Sequence, residues 1–163
     1  MYISISKANN KYTKRKEIIM SQQDTVKLLR ECDAGIKMGV KSIDDVEKYV
    51  KSESMKRMLD QFKNDHEKLE KEVAVMLTNY GDEGKDPSPI VTGMSWIKTN
   101  MKLGINHSDK TVADLMSDGC HMGVKSLSSY LNQYTDASEP SKEIAKKLIK
   151  VESEFAENMR GYL

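Results

Sequence analysis

The chain has 163 residues, and its 26 lysines and arginines nearly balance its 25 aspartates and glutamates, which leaves a formal net charge of +1. This length fits one ordinary domain, and the balanced charge, without a long run of one sign, does not support the basic surface that nucleic-acid-binding proteins need. The longest apolar runs are far shorter than the roughly 20 residues that span a bilayer, so we expect neither a nucleic-acid nor a membrane partner.

The cysteine content bears on the cellular compartment. Two cysteines in a chain of this length do not make a disulfide framework, and no secretory segment is visible. These features are typical of proteins in a reducing compartment, so we predict a cytoplasmic protein.

Residues 1–20 differ from the rest of the chain because they are polar and basic and show no sustained apolar period. We predict a disordered tail or, alternatively, a mis-annotated extension upstream of the true start. In the second case Met20 is the first residue, since Arg15-Lys16-Glu17 can be encoded by a purine-rich sequence that would serve as a bacterial ribosome-binding site. The folded domain is then expected to cover residues 21–163.

Two long amphipathic helices follow. The first is predicted to begin near Asp24, a good N-cap residue, and the second near Ser52 or Ser54, with Gly81 ending it. Apolar residues recur on the first helix at steps of three, four or seven: Val26, Leu29, Cys32, Ile36, Val40, Ile43 and Val50. The stripe of the second comprises Met55, Met58, Leu59, Phe62, His66, Leu69, Val73, Met76 and Tyr80. Because few residues separate the helices, we expect an antiparallel hairpin.

Residues 81–89 form a linker with two glycines and two prolines. After it, residues 90–103 are predicted to form a short helix, with Trp96 on it, that crosses the end of the fold and connects the two halves.

A second pair of helices is predicted after the linker. Ser108 caps the third helix, residues 135–139 form a turn, and Pro140 suits the first turn of the last helix. The apolar stripes contain Val112, Leu115, Met116, Gly119, Cys120, Gly123, Leu127, Tyr130, Leu131 and Tyr134 on the third helix, and Ile144, Leu148, Val151, Glu152, Phe155, Met159 and Tyr162 on the fourth.

The two halves repeat one another. Residues 35–43 read GIKMGVKSI and residues 119–127 read GCHMGVKSL, which is six identities in nine positions at an offset of 84. The second and fourth helices align at an offset of 86, so that Phe62 matches Leu148 and Leu69 matches Phe155. A duplicated hairpin predicts an all-α, antiparallel four-helix bundle with approximate twofold symmetry.

This layout, with Cys32-Asp33-Ala34-Gly35, Asp118-Gly119 and the tryptophan-bearing crossover, resembles the ferritin-like domain families of unknown function that are related to rubrerythrin. The resemblance covers roughly Met20 to Leu163. It implies a ferritin-like bundle that acts in stress or stationary-phase physiology or as an interaction module.

The di-iron site of ferritin-like enzymes is incomplete in this sequence. Such sites take one Glu from each of two helices and a Glu-x-x-His motif from each of the other two. Here Lys63 stands three residues before His66, no histidine follows Glu152, and the repeat partner of Glu31 is Leu115. We therefore expect no ferroxidase or oxygenase activity and predict a non-enzymatic protein without a required cofactor.

A polar centre remains. His66 lies in an apolar stripe, and its repeat equivalent is Glu152. The register from the hairpin turns places His66 level with Gly39 and Glu152 level with Gly123, so we expect the two side chains to face each other from diagonal helices in a charge-assisted hydrogen bond.

Two alternatives stay open. In one, Cys120, with or without His121 or Asp118, joins His66 and Glu152 to form a degenerate metal site that could hold iron or zinc. In the other, the protein is a structural homo-oligomer that associates through an exposed second stripe on one helix. The mid-helix glycines at positions 35, 39, 119 and 123 cost about 1 kcal/mol each. We expect them to allow close approach of helices or, less simply, to make room for a ligand.

Overall fold

The computed structural model describes residues 2–86 and 107–163, with side chains from Thr13 onward in the first range. Within these ranges the chain is all-helical and forms a bundle of four α-helices. They are α1 (Tyr2–Val46), α2 (Glu53–Thr78), α3 (Asp109–Gln133) and α4 (Glu139–Met159), with single 3₁₀ turns at Glu47–Tyr49 and Arg160–Tyr162. The predicted all-helical class is confirmed. The predicted crossover helix at residues 90–103 and Trp96 lie outside the described residues.

Three of the four helices begin at a serine N-cap, which the sequence predicted for α2 and α3. Ser52, Ser108 and Ser138 are the N-cap residues of α2, α3 and α4, and each hydroxyl accepts a hydrogen bond from a backbone N–H three residues later, at 3.3–3.4 Å. Such a cap contributes about 1 kcal/mol, because it satisfies a donor that has no partner within the helix. Pro140 occupies the first turn of α4, as predicted.

The start of α1 differs from the prediction. The helix runs without interruption from Tyr2 rather than beginning near Asp24, so the segment expected to be disordered is helical. No glycine or proline occurs before Gly35, and extending an existing helix costs far less than nucleating a new one. The side chains of residues 13–20 are all exposed, and Thr25 is the first buried residue of the helix. Whether the chain starts at Met1 or Met20 remains a prediction.

Asp24 and Thr25 bind the turn of the other half instead of capping α1. The Asp24 carboxylate accepts the backbone N–H of Asp136 at 3.3 Å, and the Thr25 hydroxyl oxygen accepts that of Ser138 at 2.8 Å. At the start of α3, the Asp109 carboxylate accepts the N–H groups of Lys51 and Ser52 at 2.7 and 2.9 Å. The N-cap residue of each even helix is therefore held by an odd helix from the opposite half.

The core consists of two apolar clusters. One contains Phe62 and Phe155, and the other contains Leu69 and Leu148. The residues that separate them along the four helices stand at one level: Gly39, His66, Gly123 and Glu152. This polar layer divides the core. No helix in the described part of the chain has the length and apolar character needed to cross a membrane.

Candidate functional site

The polar layer is built around a buried contact between His66 and Glu152. The Nε2 atom of His66 lies 3.0 Å from Oε1 of Glu152, and the imidazole is fully buried while Glu152 is 7% exposed. The prediction that these side chains face each other is confirmed. Their helices are not diagonal, however, because α2 and α4 pack directly against one another.

The other ring nitrogen fixes where the protons of this pair lie. Nδ1 of His66 is 2.9 Å from the backbone oxygen of Phe62, which can only accept, so Nδ1 must carry a hydrogen and donate it. Nε2 would then be a bare acceptor in a neutral ring and would repel an ionised carboxylate. A single proton must therefore lie between Nε2 and Oε1, carried either by the imidazole or by the carboxyl group.

Two glycines make room for this pair. A β-carbon at Gly39 would stand 2.7 Å from Nε2 of His66, and one at Gly123 would stand 3.4 Å from the carboxyl carbon of Glu152. These glycines therefore accommodate polar side chains, which corrects the expectation that they allow helix backbones to approach. Gly35 would make only ordinary contact with Leu148, at 3.8 Å.

Cys120 adds a thiol to the layer. Burial raises the pKa of Cys120 well above its usual value of 9.0, and the charge of Glu152 and a hydrogen bond to Glu152 raise it further. The thiol is therefore protonated at neutral pH and donates to the carboxylate. His66, Glu152 and Cys120 form a continuous chain of hydrogen-bonding groups from three helices.

The remaining predicted site residues lie apart from this chain of groups. His121 and Asp118 are both exposed on α3. The described part of the chain contains no group of three or more His, Cys, Asp or Glu side chains arranged to hold a metal ion. Cys32 and Cys120 are buried free thiols.

A second buried carboxylate was not predicted from the sequence. Asp33, which is 4% exposed, accepts the backbone N–H of Lys85 at 2.8 Å and pairs with the Lys37 ammonium at 3.0 Å. The neighbouring Glu31 carboxylate accepts from the Lys85 ammonium at 2.6 Å. Together these groups fasten the segment after α2 to α1. The only sequence signal was the i, i+4 spacing of Asp33 and Lys37.

A shallow groove of about 170 Å³ lies next to the polar layer, between α2 and α4. Its floor is formed by Met58, Phe62, Val151 and Phe155, and the rings of the two phenylalanines stack with centroids 3.9 Å apart. Asp65 and Glu154 stand among its polar lining residues. We refer to it as the α2/α4 groove.

Comparison with known proteins gives no relative from which a role could be transferred. No family model matches the chain, and neither the curated proteins nor the solved structures include a match. The function of the polar layer must therefore be argued from its own geometry.

Proposed function

We propose that this protein is a non-enzymatic, ferritin-like four-helix bundle in which a proton-sharing His66–Glu152 pair occupies the polar centre, and that it serves in the cytoplasm as an interaction module. The observation that carries this proposal is the 3.0 Å contact between Nε2 and Oε1, together with the donation from Nδ1 to the Phe62 carbonyl. These bonds occupy both ring nitrogens, so neither is left over for a metal or a substrate.

An antiparallel hairpin is supported by the order of contacts between α1 and α2. Gly39 lies against His66, whereas Asp44, five residues further along α1, pairs with Lys63 at 2.6 Å. Residue numbers on α2 fall as those on α1 rise, as they do between antiparallel helices. The same reversal holds between α2 and α4, where Phe62 stacks on Phe155 and Glu72 pairs with Lys147.

The contacts of α1 with the second half support the ferritin-like chain path. Thr25 binds Ser138 and Gly35 faces Leu148, so residue numbers on α1 and α4 rise together and these helices run parallel. Asp109 at the start of α3 binds Lys51 and Ser52 at the start of α2, so the end of α2 and the start of α3 lie at opposite ends of the bundle. A single long crossover between two hairpins is typical of ferritin-like folds.

Duplication is supported by equivalent contacts in the two halves. Ser52 and Ser138 are related by the offset of 86, and both donate their backbone N–H to a side chain at the start of the opposite odd helix. The acceptors, Asp109 and Thr25, are related by the offset of 84. The interaction role and a link to stress physiology rest on the family resemblance alone.

Metal analysis tests the proposal. Protein purified without a histidine tag is expected to contain no stoichiometric iron or zinc, and a chelator is expected to leave its melting temperature unchanged. The exposed His121→Ala variant is a matched control for His66→Ala. Stoichiometric metal that is lost in His66→Ala but kept in His121→Ala would overturn the proposal.

That outcome would support a second candidate, a degenerate site for iron or zinc. It is favoured by one observation, namely that the Cys120 thiol bonds to Glu152, which is itself bonded to His66. Thiol, carboxylate and imidazole groups are zinc and iron ligands. Binding would require the metal to displace the shared proton and the thiol proton, and the raised pKa of Cys120 opposes this step.

A further inference from the structure

We propose that the exposed first part of α1 is a dimerisation arm that docks in the α2/α4 groove of a second copy of this chain. The arm is defined by residues 13–20, whose side chains are all exposed, and it continues the same unbroken helix that enters the bundle. The inference is independent of the proposed role of the His66–Glu152 pair.

The arm exposes more apolar surface than a lone helix in water should. Ile18, Ile19 and Met20 are adjacent in sequence and are 51%, 46% and 44% exposed. Burial of apolar side chains is favourable, so the arm gains stability when these residues are covered. A cover for these three residues therefore stabilises both the arm and its helical conformation.

The groove fits a helix better than a metabolite. Its volume of about 170 Å³ is below the range of about 300–1,000 Å³ that is usual for small-molecule sites. Its lining residues recur every three or four positions on both helices, as in Met58, Phe62 and Asp65 on α2. Grooves of this kind receive a few anchoring side chains from an amphipathic helix.

The charges of the two surfaces are opposite. The arm carries Lys14, Arg15 and Lys16 against the single acid Glu17. Among the described residues, the lining of the groove includes the carboxylates of Asp65 and Glu154 and no lysine or arginine. Asp65 pairs with Lys68 at 3.2 Å and accepts from the Gln61 amide at 3.0 Å, and Glu154 pairs with Lys150 at 3.7 Å. The two ion pairs are exposed and of small energy, so an incoming arginine can replace the lysines.

The arm cannot reach the groove of its own molecule. The groove lies at the level of Gly39 and Asp44 of α1, which contact His66 and Lys63 of α2. Met20 is about 28 Å from Gly39 along the same helix, given the rise per residue of an α-helix. Because α1 is unbroken, the arm points away from the groove, and only a second copy can bring an arm to it. Reciprocal docking of two arms gives a closed twofold dimer.

Sedimentation analysis of the full chain tests this assignment. At about 100 µM protein, where an interface of micromolar Kd is populated, the wild type is expected to be a dimer. The double variant Ile18→Asp with Ile19→Asp is expected to be a monomer that keeps the cooperative thermal unfolding of the folded bundle. The matched control, Val75→Asp with Met122→Asp, places the same charges on exposed apolar residues outside both surfaces and is expected to remain a dimer.

Charge reversal tests whether the arm meets this particular groove. Arg15→Glu with Lys16→Glu, and separately Asp65→Lys with Glu154→Lys, are each expected to weaken the dimer at least tenfold. An equimolar mixture of these two variants is expected to recover association, because it pairs a reversed arm with a reversed groove. A monomeric wild type, a dimer that survives the Ile18 and Ile19 substitutions, a mixture that does not recover, or a native chain that begins at Met20 would each overturn the proposal.

Discussion

Gly39 lies so close to His66 that a β-carbon on residue 39 would stand 2.7 Å from Nε2 and 2.8 Å from Cδ2 of the imidazole. Gly119, the repeat equivalent of Gly35, has no such neighbour: apart from its chain neighbours and the adjacent backbone of its own helix, no atom in the described part of the chain would lie within 4 Å of its β-carbon. The mid-helix glycines of the repeat therefore differ in role: Gly39 makes room for the imidazole of His66, whereas Gly119 makes room for no side chain.

We expect Gly39→Ala and Gly119→Ala to change stability in opposite directions. At Gly39 the added methyl group would displace the buried imidazole from Glu152, and overpacking of this kind costs about 2 kcal/mol. At Gly119 the methyl group enters open space, and the higher helix propensity of alanine contributes about 1 kcal/mol of stability. Urea unfolding of the two variants measures both effects. A stable Gly39→Ala variant would mean that the His66–Glu152 contact is not as tight as described.

The single shared proton predicts that Glu152→Gln is tolerated and Glu152→Ala is not. In Glu152→Gln the amide NH₂ can donate to Nε2 of a neutral imidazole while the amide oxygen accepts from Cys120, so we expect a loss below about 1 kcal/mol. In Glu152→Ala, Nε2 is left without a partner beside a cavity, and the loss should be about 3 kcal/mol. Equal losses in the two variants, measured by chemical denaturation, would contradict the proton arrangement.

Cys32 should make the protein less stable at alkaline pH. Burial raises the pKa of its thiol from 9.0 to about 12, with smaller contributions from the charges of Glu31 and Asp33. Below pH 9 the thiol is protonated in both the folded and the unfolded chain. Between pH 9 and about 12 the unfolded chain loses this proton first, so the free energy of unfolding falls by about 1.4 kcal/mol per pH unit on account of Cys32.

The Cys32→Ala variant isolates this contribution, because lysines and tyrosines titrate in the same range in both proteins. Unfolding free energies of wild type and variant should converge as the pH rises above 9. Curves that stay parallel would show that the Cys32 thiol titrates normally in the folded protein.

Asp33 should stabilise the protein far more than the nearby exposed Asp86. Asp33→Ala removes the acceptor of the Lys85 N–H and the buried partner of Lys37, so we expect a loss of about 2 kcal/mol. Asp86, whose side chain is 91% exposed, also pairs with Lys37 at 3.0 Å, and Asp86→Ala should cost less than about 0.5 kcal/mol. Hydrogen exchange gives a local readout, since the Lys85 amide should lose its protection in Asp33→Ala alone.

The sequence alone was sufficient for features that depend on periodicity. The stripes of α2 and α4 placed His66 and Glu152 inside, and the offset between the halves placed them opposite each other. The serine caps of α2 and α3 were recognisable because a capping hydroxyl immediately before an apolar period is a local signal. These features need only the geometry of a single helix and the count of residues between turns.

Features that depend on contacts between residues distant in sequence could not be predicted. Asp24 is a residue type that is common at N-caps, but its carboxylate accepts the backbone N–H of Asp136 in the turn before α4. Nothing in the residues that flank Asp24 indicates this contact. The buried role of Asp33 depends on where the segment after α2 returns to α1. The extent of α1 was missed because a helix that is already nucleated can continue through polar sequence without apolar period.

The exchange of N-cap contacts between the two halves has a consequence for how the chain can be divided. Ser52 in the first half depends on Asp109, and Ser138 in the second half depends on Thr25. Either half expressed alone would lose both the apolar surface and the acceptor that its even helix needs in order to begin. Each half completes the helix start of the other, so a chain cut between α2 and α3 should yield two fragments that fold only in each other's presence.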